Sequence, residues 1–204
     1  MTLHGTHGRT NYKKDMNDVN KRLDSIKAFK NDFRRPLDYC LIRCDRGLRT
    51  IFGGTYGYTR VAGGKPKFHG GLDLYAQVGS PCYAVHSGEV EWTLDFGNKG
   101  WGKCALVRFQ TPDSTLWALY AHLSEIYVKG STKNIQPGTL IGTTGITGNA
   151  DSDYPHLHFE VWTSTKAGVK GSNERYRINP TEILGALPLV PFAEEVINYN
   201  TRTA

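Results

Sequence analysis

The sequence predicts an all-β fold, built on an antiparallel sheet or sandwich, with one helix before it and a short helix after it. Glycine makes up 23 of the 204 residues, and tyrosine and the β-branched residues are abundant, as in turn-rich β proteins. Short apolar runs alternate with turn residues, at a spacing typical of antiparallel sheets. The predicted strands are residues 72–75, 82–86, 89–93, 104–109, 116–121, 139–143 and 156–162.

An amphipathic helix is predicted over residues 15–33, before the sheet. Its apolar residues recur at steps of three and four, which places them on one stripe. They are Val19, Leu23, Ile26, Phe29 and Phe33. Pro36 ends the helix, since the residue before a proline is pushed out of helical geometry. We expect the helix to pack on the β-sheet body; the alternative is an inhibitory lid over the groove of the domain.

A short C-terminal helix is predicted to start at Asn179-Pro180-Thr181-Glu182, with proline in its first turn, and to stop at Gly185. A chain of 204 residues is long enough for one well-buried domain with modest decoration. The expected division is a tail, helix and connecting segment over residues 1–47, a domain over 48–187 and an extension over 188–204.

The charge of the chain indicates an anionic partner. The formal net charge is +6, which suits a cell wall carrying carboxylates or phosphates, and also nucleic acid. The basic residues are scattered, apart from Lys13-Lys14, Lys21-Arg22 and Arg34-Arg35. No RNA- or DNA-reading signature accompanies them, so we expect no nucleic-acid partner.

Four cysteines are present: Cys40, Cys44, Cys82 and Cys104. None forms a CxxC pair, which argues against a thiolate zinc site or a redox motif. Two interpretations stay open, two disulfides or buried free thiols. Among the disulfides, Cys40–Cys44 and Cys82–Cys104 are favoured, because the latter two residues lie in neighbouring strand-like runs.

Two motifs nearly ninety residues apart carry the chemistry. They are His69-Gly-Gly-Leu-Asp73 and Pro155-His-Leu-His-Phe-Glu160. His69, Asp73 and His158 are a complete ligand set for zinc, and three protein ligands leave a fourth position open, as a catalytic zinc requires. Two further histidines, His156 and His122, are candidate proton carriers. The sequence therefore predicts a catalytic zinc site.

The spacing within each motif has a geometric meaning. Along a strand, His156 and His158 project to the same face, about 7 Å apart, which suits one ligand and one neighbour. On a straight strand His69 and Asp73 would lie about 13 Å apart, too far to share one ion. The chain must therefore turn between them, and we expect Gly70 and Gly71 to provide that turn through backbone angles that other residues avoid.

The order of these motifs resembles that of the lysostaphin-type, or LytM-type, zinc endopeptidases of the cell wall. The resemblance extends over about residues 52–182. Besides the two motifs, it rests on the runs 79–90, 120–123, 137–145, 147–148 and 178–180.

The resemblance implies roles for single residues. His69, Asp73 and His158 match the three zinc ligands of the family, and His156 and His122 match its catalytic pair. A tyrosine upstream of the first motif often helps to hold the reacting oxygen in such enzymes, and Tyr56 and Tyr58 are both candidates. The implied fold is a small antiparallel β body with an active-site groove walled by loops, and the implied substrates are peptide crosslinks of peptidoglycan.

The expected mechanism is hydrolysis by a water molecule that one zinc ion activates. The same ion polarises the scissile carbonyl and so assists the attack of that water. His156 is the candidate base, and His122 is the candidate for stabilising the oxyanion or protonating the leaving amine. Glu160 is a candidate for orienting a ligand. Trp101, in the glycine-rich loop 97–102, is the tryptophan expected to touch substrate. Whether a D-Ala–diaminopimelate crosslink or a glycine bridge is cut stays open.

Two other classes of protein share parts of this pattern. A catalytically silent relative that activates a wall enzyme would usually lose metal ligands, whereas all five polar positions are intact here. A phosphocarrier β-sandwich of sugar-transport type also uses paired histidines, but the aspartate ligand and the His-Leu-His-Phe-Glu run argue against it.

The expected place of action is the cell envelope. Residues 1–35 contain no apolar stretch of the length that a secretory signal needs, and no segment approaches the roughly 20 apolar residues of a membrane span. We therefore expect delivery by a signal-independent secretion machine, as for an antibacterial effector with an immunity partner. A phage enzyme or a processed precursor is the alternative.

Overall fold

The computed structural model of the protein describes residues 33–44, 51–112, 114–150, 152–169 and 174–191. The predicted N-terminal helix lies outside these residues, apart from Phe33 at its end. Among the described residues no helix has the length and apolar character needed to cross a bilayer.

Twelve strands make up the described body. They are β1 (Ile42–Cys44), β2 (Gly57–Ala62), β3 (Lys65–His69), β4 (Leu72–Tyr75), β5 (Pro81–Tyr83), β6 (Gly88–Asp95), β7 (Lys103–Gln110), β8 (Thr115–Ile126), β9 (Leu140–Thr144), β10 (His156–Trp162), β11 (Arg177–Ile178) and β12 (Leu189–Pro191). Ten of them form one sheet, and β2 and β3 form a separate hairpin.

The main sheet has the strand order β12-β1-β4-β10-β8-β7-β6, with β11 paired to β10, and with β9 joining β5 to β8. Every described pairing is antiparallel except β1 with β12. The predicted antiparallel all-β class is therefore confirmed. Strands β4 and β10 have the predicted bounds, and they lie side by side at the middle of the sheet.

Residues of β10 alternate between two environments, as strand geometry requires. Leu157, Phe159 and Val161 point into the larger hydrophobic core, which lies on one face of the sheet. Trp162 belongs instead to a smaller cluster with Leu106, Leu119 and Trp101. The side chains of His156, His158 and Glu160 therefore share the face of Trp162, opposite the larger core.

The short helix α1 spans Thr181–Leu184, and a single 3-10 turn spans Thr165–Gly168. Pro180 precedes α1, and Gly185 follows it with φ of 77°, so both predicted end signals act as expected. The Asn179 side chain accepts a hydrogen bond from the Thr181 N–H at 3.1 Å, which satisfies one N–H of the first turn.

Strands that flank the predicted domain also join the sheet. β1 lies before residue 48 and β12 lies after residue 187, yet β1 pairs with both β4 and β12. Their three-residue length gave no periodic signal in the sequence. The proposed boundaries at 48 and 187 stay predictions, with sheet residues on both sides of them.

The favoured disulfides are not formed, and all four cysteines are free thiols. Cys82 lies in the larger core and Cys104 in the smaller cluster, so the two face opposite sides of the sheet. Cys40 Sγ instead contacts the Leu37 carbonyl at 3.5 Å. Burial raises the pKa of Cys40 and of Cys104 to about 12, which keeps both thiols protonated.

Candidate metal centre

His69 and Asp73 come from two different β structures. His69 ends β3 of the hairpin, and Asp73 is the second residue of β4 in the main sheet. Gly70 and Gly71 connect them, but neither has a positive φ, so the expected reason for these glycines was wrong. A Cβ on Gly71 would lie 2.2 Å from the Phe159 carbonyl oxygen. Glycine is needed here because the connection packs directly against β10.

His158 completes the cluster from β10, where it is the direct cross-strand partner of Asp73. His158 Nδ1 lies 2.9 Å from Asp73 Oδ1, and His69 Nε2 lies 3.2 Å from the same oxygen. The ligand atoms of His69, Asp73 and His158 all lie within 4.8 Å of one another, and all three side chains are buried. The three residues that the sequence analysis named as ligands are thus close enough to share one ion.

The outer ring nitrogens of both histidines have their own acceptors. His69 Nδ1 lies 2.8 Å from the Thr55 carbonyl oxygen, and His158 Nε2 lies 2.9 Å from Glu160 Oε1. Each contact requires an N–H on the outer nitrogen, so the nitrogen that faces Asp73 is the one that can give up its proton to bind a metal ion. Metal-binding histidines characteristically carry such a partner, so the arrangement fits a metal ion.

Glu160 fixes the orientation of the His158 ring through its contact with Nε2. Its Oε2 accepts hydrogen bonds from Trp162 Nε1 and from Arg177 Nε, the latter at 2.6 Å. Burial by itself would raise the pKa of Glu160, but the His158 and Arg177 contacts lower it to about 2. The carboxylate is therefore ionised and fixed at both oxygens.

The centre favours positive charge. Burial would lower the pKa of His158, yet hydrogen bonds to Asp73 and Glu160 outweigh it and raise the pKa to about 9. Burial would raise the pKa of Asp73, but His156, His69 and Arg60 hold it well below its usual range. Two nitrogens and one carboxylate oxygen with this preference suit zinc.

The two candidate catalytic histidines lie beside the cluster. The ring centroids of His122 and His156 are 5.1 Å apart, and those of His122 and His158 are 5.7 Å apart. His122 has φ of 63°, and its backbone N–H donates to the Trp101 carbonyl at 2.9 Å. This unusual conformation turns its ring out of the regular path of β8 and towards the centre.

Both rings are neutral and share one tautomer. His122 Nδ1 lies 2.8 Å from the Thr147 carbonyl oxygen, and His156 Nδ1 lies 2.8 Å from the Tyr154 carbonyl oxygen, so each Nδ1 carries the hydrogen. Burial lowers the pKa of His122 to about 3 and that of His156 to about 4. In each ring Nε2 is left as a proton acceptor.

Sequence reasoning missed two arginines at the centre. Arg43 is 3% exposed, and its Nη1 lies 3.3 Å from His156 Nδ1 and 3.9 Å from Asp73 Oδ2. Arg60 donates from Nη2 to Asp73 Oδ2. Arg43 lies on a three-residue strand with no periodic pattern. Arg60 lies on a largely polar hairpin, so no signal in the sequence pointed to either residue.

Of the three residues proposed to contact substrate, only Trp101 borders the cavity of about 410 Å³ that contains the cluster. The Tyr56 hydroxyl donates to the Arg177 carbonyl at 3.0 Å, and burial raises its pKa to about 12. Tyr58 is 58% exposed and borders a separate cavity beside Phe52. Neither tyrosine lines the cavity that contains the cluster, and a role in holding the reacting oxygen stays a prediction for both.

A protein family and several curated proteins resemble this chain in sequence. The model of Peptidase family M23 matches residues 67–171. A curated relative, the peptidoglycan DD-endopeptidase ShyC of Vibrio cholerae, is 32% identical over 135 residues, which is 66% of this chain and 28% of ShyC. The glycyl-glycine endopeptidase ALE-1 of Staphylococcus capitis is 33% identical over 97 residues, 48% of this chain and 25% of ALE-1.

Solved structures show the same fold. The catalytic domain of lysostaphin from Staphylococcus simulans superposes with a TM-score of 0.51 at 27% identity, covering 65% of this chain and 90% of that domain. By contrast, the match spans only 28% and 25% of the two curated relatives. Because the family model covers residues 67–171, from just before the first motif to beyond the second, this chain belongs to peptidase family M23.

Proposed function

We propose that this protein is a zinc-dependent endopeptidase that hydrolyses peptide crosslinks or stems of bacterial peptidoglycan. The observation that carries the proposal is the convergence of three buried ligand atoms beside two neutral histidines in one cavity. The names of the relatives, a peptidoglycan DD-endopeptidase and a glycyl-glycine endopeptidase, support the same class of substrate.

One zinc ion would be held by His69 Nε2, by Asp73 through Oδ1, and by His158 Nδ1. Arg60 engages Asp73 Oδ2, which directs Oδ1 towards the two histidines. When bound, zinc supplies a Lewis acid that polarises the scissile carbonyl and lowers the pKa of water towards 7. Three protein ligands leave a fourth coordination position of the ion open for that chemistry, whereas a structural zinc site has four protein ligands.

His156 and His122 would handle the protons. Their Nδ1–H groups are engaged by the Tyr154 and Thr147 carbonyls, so each ring enters the reaction with Nε2 able to accept a proton. His156 Nε2 lies 3.6 Å from Asp73 Oδ1, next to the ligand cluster, and it is the better placed base. A neutral His122 with this tautomer cannot donate from Nε2 first; it donates to the leaving amine only after it has received a proton.

Arg43 would keep His156 ready to accept. Burial is the largest cause that lowers the pKa of His156, and the Arg43 charge acts in the same direction, whereas Asp73 opposes both. A base that is already protonated at neutral pH could not take a proton from water. The buried guanidinium thus favours the reactive form of the ring.

The test is digestion of purified sacculi with analysis of bound metal. We expect zinc at one ion per chain, release of muropeptides by mass spectrometry, loss of release on chelation, and recovery on adding zinc. A protein that binds no zinc and releases no muropeptides, but stimulates another wall hydrolase, would identify the silent binding module instead. Phosphohistidine without muropeptide release would identify the phosphocarrier.

The cell envelope as place of action follows only from this substrate. An immunity partner and delivery by a secretion machine stay predictions from the sequence.

A further inference from the structure

We propose that Arg60 and Lys67 form a carboxylate-binding subsite beside the metal centre. The subsite would select amides whose amine-side residue carries a free carboxylate next to the scissile bond. The inference rests on the proposed function and names the substrate class within it.

The first observation is the register of the β2–β3 hairpin. Arg60 and Lys67 are direct cross-strand partners, and both border the cavity of the metal centre. Directly opposed residues of an antiparallel pair point to the same face, with Cβ atoms about 5 Å apart, and like charges in such a pair destabilise it. An anion bound between the two cations would remove that repulsion.

The second observation is that Arg60 and Lys67 both have hydrogen-bond donors available for a ligand. Arg60 uses Nε on the Gly53 carbonyl at 2.6 Å and Nη2 on Asp73 and His69, while Nη1 has no partner among the described residues. The Lys67 ammonium is exposed and likewise lacks a partner within the described part of the chain. A carboxylate could therefore accept from both side chains without displacing an existing bond.

The position of Arg60 relates the subsite to the reaction. Its Nη2 lies 3.1 Å from His69 Nε2, so the guanidinium adjoins the ligand atoms. In an amide whose nitrogen is attached to the α-carbon of an amino acid, the carboxyl carbon is two bonds from that nitrogen. A scissile amide bound at the ligand cluster would therefore place this carboxylate within reach of the hairpin.

The charge of the cavity favours such a substrate. Its acidic residues are Asp73 and Glu160, both already held by cationic partners, whereas Arg43, Arg60 and Lys67 all border the same space. A D-Ala–diaminopimelate crosslink carries a free carboxylate beside the amide, and a glycine bridge carries none inside the bridge. The subsite therefore favours the first kind of crosslink.

The experiment compares two substrates that differ in one group. Zinc-loaded protein is given a D-Ala–diaminopimelate dimer with a free carboxylate and the same dimer with that group converted to a carboxamide. We expect kcat/KM to be at least tenfold higher for the carboxylate, as for a charge-assisted hydrogen bond. In Lys67→Met this ratio should fall about tenfold. Lys65→Met, exposed on the same strand but outside the cavity, should keep the ratio.

A binding measurement separates recognition from chemistry. Calorimetric titration with the cleaved amine-side product, which is not a substrate, should give about tenfold weaker binding to Lys67→Met than to wild type. Equal cleavage of both dimers, preference for a pentaglycine bridge, or an unchanged ratio in Lys67→Met would overturn the subsite while the endopeptidase function stands. If zinc-loaded protein cleaves none of these peptides, the proposed function fails, and the subsite fails with it.

Discussion

His158 lies directly opposite Asp73 across the β4–β10 pair, with His158 Nδ1 2.9 Å from Asp73 Oδ1. Two residues 85 positions apart in the chain are therefore brought together by sheet register alone. His156, on the same face of β10, pairs with Tyr75 and contacts Asp73 only at 3.6 Å. This difference in register underlies the division of roles that we propose for the two histidines.

The division of roles predicts different losses on substitution. His158→Ala should lose stoichiometric zinc, because one of three ligands is removed. His156→Ala and His122→Ala should retain zinc and lose about 10²–10⁴-fold in kcat, the usual contribution of a positioned acid or base. Metal analysis after dialysis and turnover of a crosslinked muropeptide would check both. Zinc loss in His156→Ala, with activity preserved in its metal-bound fraction, would reverse the assignment.

Replacing Glu160 by glutamine should weaken zinc binding without removing a ligand. The substitution keeps the shape of the side chain but removes the charge that faces the His158 Nε2–H at 2.9 Å. We expect zinc affinity to fall about 10–100-fold, as when other outer-shell partners are lost. Competition with a coloured chelator measures the change. Glu125→Gln, on the exposed end of β8, is the matched control and should bind zinc like wild type.

Gly71→Ala tests the close packing of the motif connection. The added Cβ would lie 2.2 Å from the Phe159 carbonyl oxygen, a backbone atom that cannot rotate away. Overpacking of this kind should lower the free energy of unfolding by about 1–3 kcal/mol, measured by urea denaturation. Gly130→Ala should change stability by less than about 0.5 kcal/mol, since its Cβ would meet Trp92 Cα at an ordinary 3.5 Å. Equal stability of the two variants would refute the packing argument.

Zinc should stabilise the folded chain. A ligand that binds only the native state at 100 times its dissociation constant adds about 2.7 kcal/mol. Chelator-treated protein should therefore melt at a lower temperature than zinc-loaded protein in scanning calorimetry. His158→Ala should show no zinc-dependent shift, because its ligand set is incomplete. If the melting temperature of the wild-type protein were the same with and without zinc, this result would contradict the proposed metal centre.

The free cysteines predict the thiol chemistry of the native protein. Burial holds the pKa of Cys82 far above its usual range and raises those of Cys40 and Cys104 to about 12, so these three thiols should not react with an aromatic disulfide reagent at pH 8. Cys44, only partly buried, is the residue expected to react in the folded state. In denatured protein all four thiols should react, which gives four equivalents of reacted thiol per chain. Two equivalents or fewer would indicate disulfides.

Much of the β body was predictable because its signals are local. Alternation of apolar residues gave β4 and β10 with their bounds, and Pro180 with Gly185 gave α1. The hairpin β2–β3 is mostly exposed, and β1 and β12 have three residues each. None of these four strands carries the periodic apolar pattern that marks a half-buried strand.

The sequence by itself determined the kinds of candidate ligand, their order in the chain and the shared face of His156 and His158, because donor chemistry and strand alternation are properties of residue type and spacing. Only the tertiary structure decided that Asp73 meets His158 rather than His156, that Gly71 is required by a neighbouring backbone, and that Arg43 and Arg60 adjoin the centre. Those relations depend on sheet register and on contacts between distant segments. The sequence of a single strand does not specify the strand or segment against which it will pack.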